Sequence, residues 1–293
     1  MAHIAETTID QRGLFRLQAL KDSANRDRNL AAILALCHNA YLGDHRSLCR
    51  ILGRFEILVD TRDDALATHL LSRGIWEMHV TECLARAISP GMTVVDVGAN
   101  YGYFAVLMAA LAGPKGRLIA IEANPAAADL LQVTLKRNGF MGRSKLHRVA
   151  VADKDQGTAW LRYAADTMNG NIHDKAPKLK SEQDRLVEVP LATLDSLIAP
   201  GTRVDVMKVD IEGAERAMWQ GARRVLAENP KIAIALEVDN KRYADAAAFF
   251  EQIEADGFKL QMIEKNGEVR SCNVKELVEM KNPSLGMLWL KRQ

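Results

Sequence analysis

One acidic residue lies within a short apolar run of β-branched residues, and two glycines follow that run. Asp96 lies within the run 93–97, and Gly98 and Gly102 come next, four positions apart. A glycine after a buried strand lets the backbone turn sharply and approach a ligand closely, and a helix that begins near Gly102 points its amide groups at that ligand. Nicotinamide-binding turns need a second glycine where Asn100 stands. Because the Asp96 carboxylate suits a positively charged group better than a diphosphate, the pattern favours S-adenosylmethionine; a purely structural glycine turn is the alternative.

A second carboxylate, Glu122, ends the next apolar run. A carboxylate at the end of the second strand can accept hydrogen bonds from both ribose hydroxyls of a nucleoside. Acids at strand ends also cap helices, and Asn124 before Pro125 has the features of such a cap. The combination of Asp96-x-Gly98 with Glu122 is more specific than either part, and it predicts a nucleoside-containing cofactor across the first two strands.

Two later apolar runs also end in acids. Asp210 and Glu212 close one of them, and Glu237 and Asp239 close the other. In open α/β sheets, ligands bind at the carboxyl ends of the strands. If these two strands are neighbours, the four side chains meet at one edge of the sheet. We therefore expect an acidic cluster beside the cofactor.

Alternating strands and helices through the middle of the chain position these acids. Buried strands are predicted at 93–97, 117–122, 145–151, 204–209 and 232–238, and helices at 103–111, 125–138 and 214–228. This alternation implies right-handed βαβ crossovers and a parallel sheet. The C-terminal part adds a strand, a short helix and a last strand, predicted at 258–264, 274–280 and 286–290.

The remaining segments are less regular. Leucines at helical spacing predict helices over 14–52 and 62–88. The polar stretch 157–190 interrupts the alternation with two short strands, 158–163 and 186–190, around a loop. Because long loops in compact domains usually carry function, we expect this loop to contact a substrate.

Composition and charge exclude several classes of protein. The chain has 293 residues, with 39 Lys+Arg and 37 Asp+Glu and a formal net charge of +2, so nothing in the total charge attracts nucleic acid or anionic membranes. No apolar run approaches the ~18 residues of a membrane helix, and the N-terminus lacks the apolar segment of a leader. None of the four cysteines forms a C-x-x-C pair. We expect a cytoplasmic protein without a membrane span.

The motifs together resemble those of the class I S-adenosylmethionine-dependent methyltransferases, in segments 96–102 (DVGANYG) and 121–125 (IEANP). Within that group, four further segments are similar to the FkbM family: 74–77 (GIWE), 194–197 (LDSL), 208–215 (KVDIEGAE, followed by Gly221-Ala222) and 236–238 (LEV). The resemblance covers about residues 54–293. Two positions depart from it: Ala123 stands where members often have proline, and Asp239-Asn240 replaces a more usual His-containing strand end.

The resemblance implies an α/β fold of the Rossmann-like class I type. Its sheet would be mostly parallel and seven-stranded, with helices on both faces. Residues 54–293 would form this methyltransferase domain. Residues 1–53 lie outside the resemblance; their leucine spacing predicts an N-terminal helical extension, which is a candidate dimerisation arm or lid. A homodimer is therefore a candidate assembly.

The activity that the resemblance implies is methyl transfer to a hydroxyl oxygen of a small molecule or saccharide. A neutral hydroxyl is a poor nucleophile, so a base or a metal would help. Asp210 is the first candidate for the catalytic base, with Glu212 or Glu237 as alternatives. Mg²⁺ is a candidate second cofactor, held by Asp210, Glu237 and Asp239. Alternatively, Asp210 binds the amine of the cofactor.

The remaining site residues follow from their places along the chain. The methionine end of the cofactor is expected to contact Asp96, Gly98, Asn100, Tyr101 and Gly102. Glu122 would bind the ribose, Asp153 would border the adenine, and Trp76-Glu77 is a candidate border from the preceding helix, with core packing as the alternative for Trp76. Asn169 and His173, in the polar loop, are candidate substrate contacts. His173 is also a candidate base, because an unperturbed imidazole titrates near neutral pH, although a lone loop histidine is more often a solvated side chain.

Four alternatives can be compared with the same motifs. A nucleic-acid methyltransferase would carry an Asn/Asp-Pro-Pro-aromatic motif where this chain has Asp210-Ile211-Glu212-Gly213, and it would show a basic stripe. A nicotinamide dehydrogenase conflicts with Asn100. A non-catalytic cofactor-binding module of the same fold, or a methyltransferase for another acceptor class, would keep the same motifs.

Overall fold

The structure is a computed structural model that describes residues 8–164, 166–179, 181–182, 184–280 and 286–292. The strands of the described residues are, in chain order, β1 (Asn39–Gly43), β2 (Arg46–Ile51), β3 (Phe55–Asp60), β4 (Thr93–Val97), β5 (Arg117–Ile121), β6 (Ser144–His147), β7 (Ala150–Val151), β8 (Thr158–Tyr163), β9 (Gly170–His173), β10 (Arg185–Ala192), β11 (Val206–Val209), β12 (Ala233–Val238), β13 (Phe258–Lys259), β14 (Gln261–Ile263), β15 (Val269–Ser271) and β16 (Gly286–Arg292). The α-helices are α1 (Arg26–Leu36), α2 (Leu66–Arg73), α3 (Met78–Ala87), α4 (Tyr103–Ala112), α5 (Pro125–Arg137), α6 (Leu194–Leu197), α7 (Glu215–Gln220), α8 (Arg223–Glu228), α9 (Ala246–Ala255) and α10 (Val274–Glu279).

The central sheet carries the order β15-β14-β16-β12-β11-β4-β5-β6, with β13 beside β16. Strands β6, β5, β4, β11 and β12 run parallel, and β16 runs antiparallel to β12. The expected α/β fold with a mostly parallel sheet is therefore confirmed. In the described residues this sheet has nine strands rather than seven, because the segment predicted as one strand divides into β13 and β14, and the turn at Asn266-Gly267 folds β15 back onto β14.

The central strands carry apolar side chains on both faces, which explains why helices cover both faces of the sheet. Val94 of β4 is buried in one hydrophobic cluster, which also contains residues of α4 and α5. Its neighbour Val95 is buried in a second cluster, with residues of α7, α8 and α9. Successive side chains of a strand point to opposite faces, so one strand supplies both clusters. The chain order reverses between β4 and β11, which is where open α/β sheets form a ligand crevice.

The polar stretch after the third crossover builds a second, four-stranded sheet in the order β7-β10-β8-β9. The single strand predicted at 145–151 is divided, because β6 pairs in the central sheet and β7 pairs with β10. Strand β9, which lies in the region predicted as a loop, pairs antiparallel with β8. The hairpin between β8 and β9 carries Met168 and Asn169 to the carboxyl edge of the central sheet, where both line a cavity.

The prediction of a helical N-terminal extension is wrong for residues 39–51. Helix α1 and two short 3₁₀ turns, Leu17–Lys21 and Ser23–Asn25, are helical, but β1, β2 and β3 form an antiparallel three-stranded sheet. Strand β2 buries alternate residues, Ser47, Cys49 and Ile51. Two of these three side chains are small and weakly apolar, so the period-two signal was weak in the sequence.

The N-terminal residues share the core of the main sheet. Phe15, Leu20 and Ile33 are fully buried in the same hydrophobic cluster as α3 and α4. The boundary predicted between residues 53 and 54 falls in the turn of the β2–β3 hairpin. Among the helices of the described residues, none is long and apolar enough to cross a bilayer.

Candidate active site

A cavity of about 290 Å³ opens at the carboxyl ends of the parallel strands. Its lining includes residues that follow β4, β5 and β11, the last part of β12, and the β8–β9 hairpin. The polar or glycine members are Glu77, Gly98, Asn100, Glu122, Asn124, Asn169, Gly170, Lys208, Asp210, Glu212 and Glu237. The cavity therefore collects acids that are far apart along the chain, as the strand-end motifs predict.

Three lining residues have backbone conformations that side chains rarely adopt. Glu77, Asn100 and Glu212 have φ angles of 37°, 48° and 57°. Left-handed conformations of non-glycine residues cost free energy, and they concentrate at functional sites. Their convergence on one cavity, from three separate loops, supports a functional role for that cavity.

The turn after β4 requires glycine at position 98. Gly98 has a φ of +80°, and a Cβ atom there would lie 1.8 Å from the backbone oxygen of Asp210. The two turns that follow β4 and β11 therefore touch through their backbones. This contact is the structural reason for the glycine after Asp96, and it leaves the cavity floor free of a side chain at that point.

Glu122 holds the two turns beside it in place. Its Oε2 accepts a hydrogen bond from the backbone N–H of Asn100, and its Oε1 accepts one from that of Asn124, both at 2.7 Å. Burial raises the pKa of Glu122 to about 7, despite these two donors. Asn124 caps α5 through Ala126, as predicted. Glu122 thus lines the cavity and also fixes the geometry of its floor.

Asp96, which is predicted to contact the methionine end of the cofactor, lies behind the cavity and is not among its lining residues. It is fully buried, and neither carboxylate oxygen has a hydrogen-bond partner among the described residues. Burial raises its pKa to about 6, against the opposing charge of Lys208. The reason is strand geometry: Asp96 points to the face that carries α4, whereas the ligand edge lies beyond Val97.

Lys208 lines the cavity, although the sequence alone did not predict a role for it. Its Cα pairs with that of Asp96 across β4 and β11, and its Nζ donates to Oδ2 of Asp210 at 2.9 Å. The ammonium also lies 4.7 Å from the ring centroid of Phe104. Burial opposes the charge, but Asp210 and Asp96 outweigh it and raise the pKa of Lys208 above its ordinary value. The signal was a lysine in a strand that is otherwise apolar.

The predicted catalytic acids Asp210, Glu212 and Glu237 all line the cavity, in different states. Burial disfavours ionised Asp210, yet Lys208 holds its pKa below the ordinary value. Burial and the charge of Asp210 raise the pKa of Glu237 to about 10. Burial and Asp210 also raise the pKa of Glu212, while Arg242 opposes the rise.

Arg242 ties the second acidic strand end to the first, and the sequence reasoning missed it. Its guanidinium contacts Glu212 Oε2 at 2.6 Å, Glu237 Oε2 at 3.2 Å and Asp239 Oδ2 at 3.4 Å. These carboxylates do converge, as predicted, but around a cation of the chain itself. Asp239 is not among the lining residues.

The Mg²⁺ site predicted at Asp210, Glu237 and Asp239 does not fit these residues. Lys208 occupies one oxygen of Asp210, and Arg242 bridges Glu237 and Asp239. Within the described ranges, no group of three or more His, Cys, Asp or Glu side chains is arranged to hold a metal ion. Because positive side chains already compensate these carboxylates, they do not offer Mg²⁺ the free oxygen ligands that it requires.

The β8–β9 hairpin crosses the cavity through Asn169. Asn100 Nδ2 donates to its Oδ1 at 2.8 Å, and its own Nδ2 donates to Glu212 Oε1 at 2.7 Å. Asn171 donates to the backbone oxygen of Glu212 at 2.9 Å. His173, predicted as a substrate contact, is not among the lining residues, whereas Gly170 and Ile172 of the same strand are.

Three predicted cofactor contacts also lie outside the lining. Tyr101 is fully buried in the core, and Gly102 begins α4, where a Cβ atom would lie 2.5 Å from Leu131. Asp153 is exposed beyond Val151, which does line the cavity. Spacing along the chain places these residues near the site, but the structure does not bring them to the cavity wall.

A sequence profile of the methyltransferase FkbM domain matches residues 96–270, more than half of the chain. The chain therefore belongs to the FkbM family of class I S-adenosylmethionine-dependent methyltransferases, as the resemblance of its motifs predicts. The match begins at Asp96 and includes the second sheet and the acids of β11 and β12.

Curated relatives are similar over a shorter segment. The protein-L-isoaspartate O-methyltransferase of Methanococcoides burtonii is 35% identical over 65 residues, 22% of this chain and 32% of that protein. The ribosomal protein L11 methyltransferase of Pelotomaculum thermopropionicum is 33% identical over 88 residues, 28% of each protein. The chain thus spans about a third of the curated relatives it matches.

Solved structures resemble the chain more loosely. A SAM dependent methyltransferase from Aquifex aeolicus has 14% identity and a TM-score of 0.41, covering 78% of this chain and 94% of that one. The precorrin-6y C5,15-methyltransferase from Geobacter metallireducens has 15% identity and a TM-score of 0.42, covering 74% and 88%. The fold assignment rests on the strand order of this chain itself.

Proposed function

We propose that the protein is an S-adenosylmethionine-dependent O-methyltransferase that acts on a hydroxyl group of a small molecule or saccharide. The observation that carries the proposal is the cavity at the reversal of strand order, with Gly98 and Glu122 on one side and Asp210, Glu212 and Glu237 on the other. When bound, the cofactor supplies a methyl group that its sulfonium activates.

The residues of the cavity fit this cofactor. Gly98 allows close approach of a ligand to the backbone. Glu122 accepts one backbone hydrogen bond on each oxygen, and a carboxylate has about four lone-pair sites, so it keeps acceptor capacity for ribose hydroxyls. The apolar lining from Val149, Val151 and Leu161 suits an adenine ring.

Glu212 is the proposed general base. A base must be ionised and must have a pKa near the working pH. Lys208 keeps Asp210 ionised but lowers its basicity, and the pKa of Glu237, about 10, keeps that group protonated at neutral pH. Glu212 combines a raised pKa with a place on the cavity wall, and Asn169 and Arg242 orient its carboxylate.

The proposal of a small acceptor is supported by the way the hairpin encloses the cavity. The hairpin that carries Asn169 bridges the turns after β4 and β11, so the acceptor has to fit beneath it or beside it. The relatives named above as acting on proteins match only part of their length, and acceptors of that class are outcomes of the test. The homodimer and the cytoplasmic location stay predictions.

The test is direct measurement of turnover. The purified protein is incubated with S-adenosylmethionine and panels of saccharides, small hydroxylated molecules, peptides and RNA, and S-adenosylhomocysteine formation is measured. We expect turnover with a hydroxyl acceptor, reduced about 10²- to 10⁴-fold by Glu212→Gln, and unchanged by Glu251→Gln on an exposed helix position. Binding of S-adenosylhomocysteine without turnover on any panel supports a non-catalytic module instead. Failure to bind S-adenosylhomocysteine contradicts the proposal.

A further inference from the structure

Glu77 is a carboxylate of the cavity wall that has no assigned partner. It lines the cavity beside Trp76, and its Oε2 is buried without a hydrogen-bond partner among the described residues. A buried carboxylate oxygen without a donor is costly, so such an atom calls for an explanation. A donor on a bound ligand would satisfy it.

The backbone aims this side chain at the cavity rather than at its own helix. Glu77 precedes α3 as its N-cap residue, a position where Ser, Thr, Asp or Asn side chains usually accept hydrogen bonds from the first turn. Its side chain makes no such bond, and its φ is 37°. The surrounding structure holds this conformation: the backbone oxygen of Glu77 accepts from Thr81 N at 2.9 Å, and the hydroxyl of Thr81 contacts that of Tyr103 at 3.0 Å.

The charged residues around Glu77 favour a ligand with a positively charged group. Burial raises its pKa to about 7, and the negative charge of Asp210 adds to the rise, while Lys208 and Lys265 oppose it. Lys208 is already engaged with Asp210 at 2.9 Å. Two acids that repel each other across a cavity are stabilised by a positive group placed between them.

We infer that the Glu77 carboxylate binds the α-ammonium group of the cofactor's amino-acid end. Asp96, the acid that the motif suggested for this role, is behind the cavity, and Glu122 is held at the opposite turn by Asn100 and Asn124. The ammonium of an amino acid donates three hydrogen bonds, and one of them would supply the donor that Oε2 of Glu77 lacks among the described residues. This inference rests on the proposed function. It adds to that function a cofactor-binding residue outside the glycine turn.

The test compares two ligands and three proteins by titration calorimetry. The ligands are S-adenosylhomocysteine and its analogue in which hydrogen replaces the α-amino group. We expect Glu77→Gln to weaken S-adenosylhomocysteine binding about tenfold to about hundredfold, the range for a hydrogen bond to a charged group, and to change binding of the analogue less than about twofold. Glu251→Gln, at an exposed helix position, should match the wild type with both ligands.

The outcomes separate this inference from the proposed function. A wild-type protein that binds neither ligand contradicts the proposed function. A wild type that binds both ligands equally, or a Glu77→Gln variant that binds S-adenosylhomocysteine as the wild type does, or that loses both ligands equally, overturns the inference alone. If Glu77→Gln does not fold, Glu77→Asp, which keeps the charge and withdraws it by one methylene, should show the same ligand-selective loss.

Discussion

The ammonium group of Lys208 lies 2.9 Å from Oδ2 of Asp210, and the Cα atom of Lys208 pairs with that of Asp96 on the neighbouring strand. One buried cation therefore serves two buried acids, one on the cavity wall and one behind it. The arrangement couples the folding of the central sheet to the charge of the ligand site. Removing the cation leaves both acids without compensation.

Lys208→Met tests this coupling. Methionine is of similar length and suits the contact with Phe104, but it carries no charge, so Asp96 and Asp210 are left unpaired in the interior. We expect the free energy of unfolding to fall by about 3–5 kcal/mol, as measured by urea denaturation. Lys291→Met is the matched control: this lysine also stacks on an aromatic ring, Trp289, but it is exposed, and we expect a change below about 1 kcal/mol. A Lys208 variant as stable as the control would contradict the coupling.

Gly98→Ala tests the contact between the two turns. A Cβ atom at this position meets the backbone oxygen of Asp210 at 1.8 Å, and the φ of +80° is itself unfavourable for alanine. We expect a loss of more than about 1 kcal/mol in unfolding free energy, together with loss of S-adenosylhomocysteine binding in calorimetry. Gly142→Ala is the control, because its Cβ atom would meet nothing within 4 Å. Wild-type affinity of the Gly98 variant for S-adenosylhomocysteine would show that the cofactor site tolerates separation of the turns after β4 and β11.

Glu237→Gln tests the protonation of the second acidic strand end. The pKa of Glu237 is about 10 in the folded protein and 4.5 for an ordinary glutamate, so between these pH values the folded state binds more protons than the unfolded state. The stability contributed by the wild-type residue therefore falls as pH rises through that range. Glutamine does not titrate, so the unfolding free energy of the variant relative to wild type should increase from pH 5 to pH 9. A difference that is constant with pH would mean that Glu237 titrates normally.

Local patterns in the sequence identified most of the central sheet. Strand β4 was predicted with the bounds observed, and α5 ends one residue before its predicted end. Both elements are specified by residues that are close together in the sequence. Strand β4 is a β-branched run buried on both faces, and α5 has a proline in its first turn and an asparagine cap. The helix prediction over 14–52 was wrong beyond α1, because the strands there bury small residues that leave little periodic signal.

The residues predicted for the candidate site also fall into two groups, those that line the cavity and those that do not. Gly98, Asn100, Glu122, Asp210, Glu212, Glu237 and Asn169 were predicted and line the cavity. Asp96, Tyr101, Gly102, Asp153 and His173 were predicted for the site and are not among the lining residues. Spacing along the chain identifies which strand ends carry polar groups, but it does not give the face on which each side chain leaves the strand or turn.

The sequence by itself determined the family, the parallel sheet and the strand ends that carry acids, because each depends on motifs and periodicity within a few tens of residues. Only the tertiary structure decided in which direction the pKa of each acid shifts and which acids line the cavity. Lys208 and Arg242 compensate carboxylates, and the hairpin of Asn169 closes over Glu212. These states depend on the burial of each group and on the partners that the sheet brings within about 3 Å, where charge interactions in a protein interior are strongest.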